Sequence, residues 1–134
     1  MREIIFRGKR TDNGEWVEGW LVIKKDPILD VTYCFILAYG KGESYVTWYP
    51  VDPSTVGQYT GLKDKNGRRI FEGDIVAACF RNNYSLQKFK VNFADGMFLF
   101  DNSCVRVPRR DIYGVQIIGN VHDNPELIGG NDGT

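Results

Sequence analysis

Cysteine and histidine are scarce in this sequence of 134 residues, which has three cysteines and one histidine. Cys34, Cys79 and Cys104 are far apart, odd in number and without a Cys-x-x-Cys pair. That pattern is typical of reduced thiols in a cytoplasm rather than of a disulfide framework. Because the spacings of the common zinc motifs are also missing, we expect no metal site and no cofactor.

Long hydrophobic runs and a net charge are absent as well. No apolar run approaches the length that spans a bilayer, so we expect no membrane contact. The charged opening residues cannot serve as the hydrophobic region of a signal peptide, which favours a cytoplasmic protein. The formal net charge is zero, which argues against a protein built to coat nucleic acid.

Catalytic motifs are missing too. The sequence has neither a Gly-x-Ser-x-Gly elbow nor a phosphate-binding loop. His122 stands beside Asp123, but the local sequence prepares no nucleophile for it. We therefore assign no catalytic residue. A metal-dependent hydrolase or nuclease built on Glu72, Asp74 and His122 is kept only as a remote alternative.

Strand signals dominate what is present. Alternation places Trp16, Glu18 and Trp20 on one face of a strand, and the apolar run from Val31 to Tyr39 predicts a strand buried on both faces. The Asp95-Gly96 pair predicts a hairpin. Strands are predicted over residues 3–7, 16–23, 31–39, 45–49, 74–80, 87–93, 97–100, 104–107 and 115–121.

Many short strands joined by turns predict a mainly β fold of antiparallel strands, arranged as a barrel or sandwich. The turn that feeds directly into a strand at residues 72–76 is typical of SH3-like barrels, so such an element is expected in the C-terminal part. Asn124-Pro125-Glu126 predicts a capped helical turn near the C-terminus.

We expect one domain over residues 1–134. A soft boundary between an N-terminal and a C-terminal β layer is expected near residues 50–57, where prolines interrupt ladder hydrogen bonding. Residues 129–134 are expected to form a mobile tail.

The segment from Gln58 to Val76 holds the most specific pattern in the chain. Its Asn66-Gly67 pair supplies the two positive-φ positions of a type I′ hairpin, and Gly73-Asp74 gives a second turn. With the opening residues 1–16 and the closing residues 115–127, this segment resembles the YopX family of bacteriophage and prophage proteins. The resemblance implies a mainly β phage protein in the cytoplasm of a bacterial host. The family has no established activity to carry over.

Most positions that carry the resemblance have a clear structural reading as turns or core. The polar members with less evident structural duty are Gln58, Tyr59, Glu72 and Asp74. If the chain has a binding site, these four residues are its first candidates.

Protein binding is the first functional hypothesis. Trp16, Trp20 and Trp48 are amphipathic groups of the kind enriched at interface hot spots, although a core role is favoured for Trp20. Exposed strand edges can also pair between subunits, which makes self-association an expected property. The sequence thus predicts a non-enzymatic binding or assembly module that acts through protein–protein contacts.

Nucleic-acid binding is the alternative. Residues 63–110 hold ten basic and five acidic residues, a local net charge of +5 (10 − 5). Phosphate contacts are predicted for Arg68, Arg69, Arg109 and Arg110. Base stacking by this region is less favoured, because Lys88 and Lys90 alternate with Phe89 and Val91 and point to the opposite face.

Overall fold

The computed structural model of the chain describes residues 3–80 and 85–128. Those residues form eleven strands and three short 3₁₀ turns, which confirms the predicted mainly β fold. The turns are Pro53–Thr55, Arg109–Asp111 and Pro125–Leu127. The strands are β1 (Phe6–Lys9), β2 (Trp16–Asp26), β3 (Val31–Tyr39), β4 (Val46–Pro50), β5 (Gly57–Lys63), β6 (Arg69–Phe71), β7 (Asp74–Phe80), β8 (Leu86–Ala94), β9 (Met97–Asp101), β10 (Arg106–Val107) and β11 (Ile112–Asn120).

The chain divides into two compact units, which we call unit 1 (Met1–Tyr59) and unit 2 (Thr60–Thr134). The first residues of β5 pair with β1 in unit 1, and its last residues lie beside β6 in unit 2. The predicted single domain with a boundary near residues 50–57 stays a prediction. The mobile tail predicted at residues 129–134 lies outside the described residues.

Unit 1 is an antiparallel sheet in the order β4-β3-β2-β1-β5. Its buried side includes Ile36 of β3 and Val51, which are 0% and 3% exposed. The other side of β3 is open, since Tyr33 and Tyr39 are 44% and 59% exposed. The prediction that residues 31–39 are buried on both faces is therefore wrong. An apolar run does not reveal whether a second layer covers it.

Unit 2 contains an antiparallel sheet in the order β10-β9-β8-β7-β11. Phe89, Val91 and Phe100 are fully buried in its core, whereas Lys88 is exposed, which confirms the predicted wet face of β8. Both residues of the predicted Asp95-Gly96 turn have positive φ, as a type I′ hairpin requires. Among the described strands, neither sheet order closes into a barrel. The SH3-like element stays a prediction.

The Asn66-Gly67 turn reverses the chain as predicted, but its predicted type I′ geometry is wrong. Gly67 has a φ of 82°, while Asn66 is not among the described residues with positive φ. The side chain of Asp64 explains the difference, because its Oδ1 accepts hydrogen bonds from the backbone N–H groups of Asn66 and Arg68. The result is a turn over residues 65–66 followed by a glycine bulge.

The predicted C-terminal helical turn is present at Pro125–Leu127, although Asn124 does not cap it with its side chain. The Oδ1 atom of Asn124 instead accepts a hydrogen bond from the backbone N–H of Asn120. This bond closes the turn that follows β11. Within residues 3–80 and 85–128, the structure contains no helix with the length and apolar character needed to cross a membrane.

Candidate functional site

The sheet of unit 1 exposes a group of aromatic side chains on one side of β2, β3 and β4. The strand register aligns Trp20 with Leu37, and Leu37 with Trp48. Trp20 is 52% exposed and Trp48 is 49% exposed. The core role favoured for Trp20 is therefore wrong. We call this surface the aromatic face and define it by Trp20, Phe35, Leu37, Tyr39 and Trp48.

The rings of the aromatic face are held by one another. Tyr39 packs edge-on against Trp20, with ring centroids 6.4 Å apart and an interplanar angle of 73°. Phe35 packs in the same manner against Trp48, at 5.5 Å and 67°. Edge-to-face pairs of this kind contribute about 0.5–1.5 kcal/mol beyond the area that they bury. The exposed rings are consequently positioned before any partner arrives.

Positive charges border the aromatic face. The Nζ atom of Lys24 lies 6.0 Å from the ring centroid of Trp48. At the start of β2, the ring of Trp16 contacts two cations of β1. The guanidinium of Arg7 lies 4.8 Å from its ring centroid, and the Nζ atom of Lys9 lies 5.8 Å from it. Cation–π contacts hold these three side chains near the rings.

A groove lies beside the aromatic face, near the end of the β2–β3 hairpin. Its volume is about 440 Å³, and its lining includes Lys24, Tyr33 and Phe35. The hairpin turn next to it is ordered by Asp26, whose Oδ1 accepts hydrogen bonds from the backbone N–H groups of Ile28 and Leu29. The bonds from Leu29 and Ile28 also hold the pKa of Asp26 below its ordinary value.

The four binding residues predicted from the sequence are divided between the two units. Gln58 and Tyr59 belong to unit 1, where Gln58 is half-buried and Tyr59 is only 4% exposed. In unit 2, Glu72 is half-buried and Asp74 is buried. The Oδ2 atom of Asp74 accepts a hydrogen bond of 2.8 Å from the N–H of Phe71. Asp74 thus stabilises the turn before β7, and a binding role for the four residues stays a prediction.

Asp64 has a structural duty that its place in the sequence did not reveal. Besides the two bonds within its own turn, it accepts a hydrogen bond of 3.0 Å from the backbone N–H of Ile117 on β11. Desolvation raises the pKa of this buried carboxyl. The hydrogen bonds from Ile117, Arg68 and Asn66 outweigh that effect and hold the pKa below its ordinary value. Asp64 is therefore an ionised link between its turn and the sheet.

The same turn brings basic residues to the outer edge of β11. The backbone N–H of Lys65 donates to the carbonyl of Val115, and exposed Arg68 and Arg69 follow the turn. Arg109 and Arg110 lie in the 3₁₀ turn just before β11, six and five residues from Val115 along the chain, which is at most roughly 20 Å at the rise of a strand. We call Lys65, Arg68, Arg69, Arg109 and Arg110 the basic edge.

The basic edge contains one arginine with a local structural role. The Nη1 atom of Arg109 donates a hydrogen bond of 2.7 Å to the carbonyl of Ile112, and Arg109 is partly buried. Arg110 is exposed. Of the four predicted arginines, Arg109 is the partly buried one, and phosphate binding by all four stays a prediction.

The residues of the remote hydrolase hypothesis lie at the other end of β11. The backbone N–H of Val121 donates to the carbonyl of Gly73, which places the turn containing His122 beside the turn containing Glu72. His122 is exposed, and its backbone N–H donates to Asn120 Oδ1. In the part of the chain that the structure describes, no three His, Cys, Asp or Glu side chains are grouped as metal ligands.

Comparison with known proteins identifies the family. The sequence profile of the YopX protein family matches residues 5–129. The crystal structure of protein EF1440 from Enterococcus faecalis is similar to this chain, with a TM-score of 0.56 and 29% identity over 96% of this chain and 99% of that chain. A search of curated proteins found no match. The match over residues 5–129 confirms the resemblance noted in the sequence, and the chain belongs to the YopX family.

Proposed function

We propose that this chain is a phage or prophage accessory protein of the bacterial cytoplasm that binds a protein partner and has no catalytic role. The observation that carries the proposal is the exposure of Trp20 and Trp48, each about half, on the same face of one sheet. Contiguous aromatic surfaces of this kind mark interaction sites more often than they mark free surface.

The geometry of the aromatic face suits a binding hot spot. Leu37 lies between Trp20 and Trp48 and supplies apolar area at the centre, while Tyr39 and Phe35 support the two indoles. Because the rings are already packed, their side chains lose less conformational entropy when a partner binds. Truncation of one such tryptophan at the centre of an interface costs about 2–4 kcal/mol of binding free energy.

The test is a comparison of partner capture by matched variants. The double variant Trp20→Ser/Trp48→Ser removes the aromatic face, and Tyr113→Ser, at a residue 43% exposed in unit 2, is the control. Partners crosslinked in lysate of phage-infected bacteria would be identified by mass spectrometry, purified and titrated calorimetrically. We expect the control to bind like the wild type and the double variant to lose at least about 30-fold in affinity. Equal affinity of all three proteins would refute the proposal.

Nucleic-acid binding through the basic edge is the second candidate function. The observation that favours it is the bond from the Lys65 N–H to the Val115 carbonyl, which holds the turn preceding Arg68-Arg69 against β11. Cations arranged along one edge can follow a phosphate backbone and release its counterions.

A salt series separates this candidate from the first. Fluorescence anisotropy would be measured with labelled single-stranded DNA, duplex DNA and RNA between about 50 and 200 mM salt. Saturable binding with a log–log slope of several units, reduced in the Arg68→Ala/Arg69→Ala variant, is the expected result for a phosphate-binding edge. Absence of binding at the lowest salt concentration would eliminate this candidate and leave the first untouched.

A further inference from the structure

The strands at the ends of the sheets differ in how their open edges are protected. In unit 2, β6 and β10 have three and two residues and begin with Arg69 and Arg106. The edge of β11 is engaged by the Asp64 side chain and the Lys65 backbone. Short length, charge and covering segments are the usual means of preventing a sheet edge from pairing with another chain.

Strand β4 of unit 1 has none of these protections along most of its length. Its sequence, Val46-Thr47-Trp48-Tyr49-Pro50, carries no charge, and among the described strands it pairs with β3 alone. Its last two residues are covered, because the N–H of Thr11 donates to the carbonyl of Pro50 and the guanidinium of Arg10 lies 4.7 Å from the ring centroid of Tyr49. Residues 46–48 therefore form an uncharged open edge directly beside the aromatic face.

The hydrogen-bonding groups of that edge follow from the strand register. The N–H of Val51 donates to the carbonyl of Cys34, so alternation assigns Tyr49 and Thr47 to the bonded pairs with β3. The N–H and carbonyl groups of Trp48 and Val46 then point away from β3. The natural Pro50 fits this pattern, since it occupies a position whose missing N–H would also point outward.

We propose that β4 accepts an extended segment of a partner protein as an added strand, with apolar side chains of the segment on the aromatic face and an acidic residue facing Lys24. This inference rests on the proposed function, because it specifies how the partner engages that face. Main-chain bonds to Val46 and Trp48 supply affinity, and alternate side chains against the aromatic rings supply specificity. The charge of Lys24, 6.0 Å from the Trp48 ring, makes an acidic segment the complementary one.

The probe is a set of random 12-residue peptides displayed on yeast and selected against the purified full chain. Enriched peptides would be synthesised with a fluorophore, and their dissociation constants measured by anisotropy. We expect enriched sequences to alternate apolar residues with polar ones and to contain Asp or Glu. N-methylation at one set of alternate peptide positions should weaken binding at least tenfold, because it removes donors to β4, whereas N-methylation at the other set should change it less than twofold.

Variants of the protein test the same contacts from the other side. Val46→Pro removes one outward N–H and leaves the ladder with β3 in place, so it should weaken binding about tenfold. Thr47→Val is the matched control on the same strand and should bind within about twofold of the wild type. Lys24→Glu should reverse the preference for acidic peptides. Circular dichroism verifies that Val46→Pro is folded, and if it is not, the N-methylated peptides decide.

The outcomes separate this inference from the proposed function. If Trp48→Ser weakens binding but Val46→Pro and N-methylation do not, partners bind the aromatic face without strand addition and the inference is wrong while the proposed function stands. If none of these changes weakens peptide binding, both the inference and the proposed function are wrong. If sedimentation shows that the wild type is a dimer and Val46→Pro a monomer, the occupant of β4 is a second copy of this chain. If single-stranded DNA displaces the bound peptides, the occupant is nucleic acid. Either result overturns the inference.

Discussion

Replacing Asp64 with asparagine should destabilise unit 2 through the loss of one hydrogen-bond acceptor. The asparagine Oδ1 can still accept from the N–H groups of Asn66 and Arg68, but its NH₂ group cannot accept from the N–H of Ile117. The Ile117 donor then faces another donor at a side chain that is only 6% exposed in the wild type. The turn should therefore separate from β11.

The expected cost is about 2–4 kcal/mol in the free energy of unfolding. A hydrogen bond to a charged group contributes about 1.5–3 kcal/mol, and a buried donor left without an acceptor costs about 1–3 kcal/mol, with partial relaxation reducing the sum. The control is Asp95→Asn at an exposed hairpin position with a φ of 54°, which asparagine tolerates. It should change stability by less than about 0.5 kcal/mol.

Urea unfolding followed by circular dichroism measures the difference, and amide hydrogen exchange at Ile117 locates it. Tryptophan fluorescence does not suffice, because Trp16, Trp20 and Trp48 all belong to unit 1. An Asp64→Asn protein as stable as the wild type, with an equally protected Ile117 amide, would refute the reasoning.

The same pair of proteins has a defined pH dependence. The pKa of Asp64 is lowered in the folded chain, so its ionised form contributes stability that is fully present above the ordinary value of 3.8. That contribution is lost as the pH falls through the lower folded pKa. The stability difference between wild type and Asp64→Asn should therefore be constant near neutral pH and shrink below about pH 3.8. A difference that grows on acidification would contradict the assigned ionisation.

Four further substitutions test the two sheets. Gly19→Ala should unfold unit 1, with a loss above about 3 kcal/mol by tryptophan fluorescence, because the added Cβ would overlap the backbone carbonyl oxygen of Leu37. In unit 2, Phe89→Ala should cost about 3–5 kcal/mol in urea unfolding, whereas Phe93→Ala, at a residue 49% exposed, should cost about 1 kcal/mol or less. Trp48→Ser should shift the thermal midpoint by only a few degrees, since half of that side chain is already exposed.

Local patterns were sufficient for the strands and for several turns. The predicted strands over residues 31–39 and 74–80 match β3 and β7, and Asp95-Gly96 forms the expected hairpin. These features depend on alternation and on the φ preferences of neighbouring residues, which the sequence displays directly. Strands β5 and β6 were not among the predicted ranges, because glycines and charged residues interrupt their alternation, although the hairpin turn predicted at Asn66-Gly67 lies between them.

The candidate sites were less accessible from the sequence. The tryptophans were recognised as binding groups, but the exposure of Trp20 depends on whether another layer covers β2. The alternation of side chains along the strand is the same whether that layer is present or not. Likewise, the turn that precedes Arg68 and Arg69 lies against β11 only because Lys65 bonds to Val115. No local pattern contains that contact.

The sequence by itself determined the mainly β class, the family and the places where the chain turns, because these depend on composition, periodicity and the conformational range of single residues. The tertiary structure alone decided which polar residues are structural and which surfaces are open. Asp64 is a link in unit 2 because it bonds to Ile117, 53 residues away, and β4 is an open edge because no described strand lies beyond it. The first fact depends on a residue far away in the sequence, and the second depends on which strands lie side by side. Only the folded backbone establishes either.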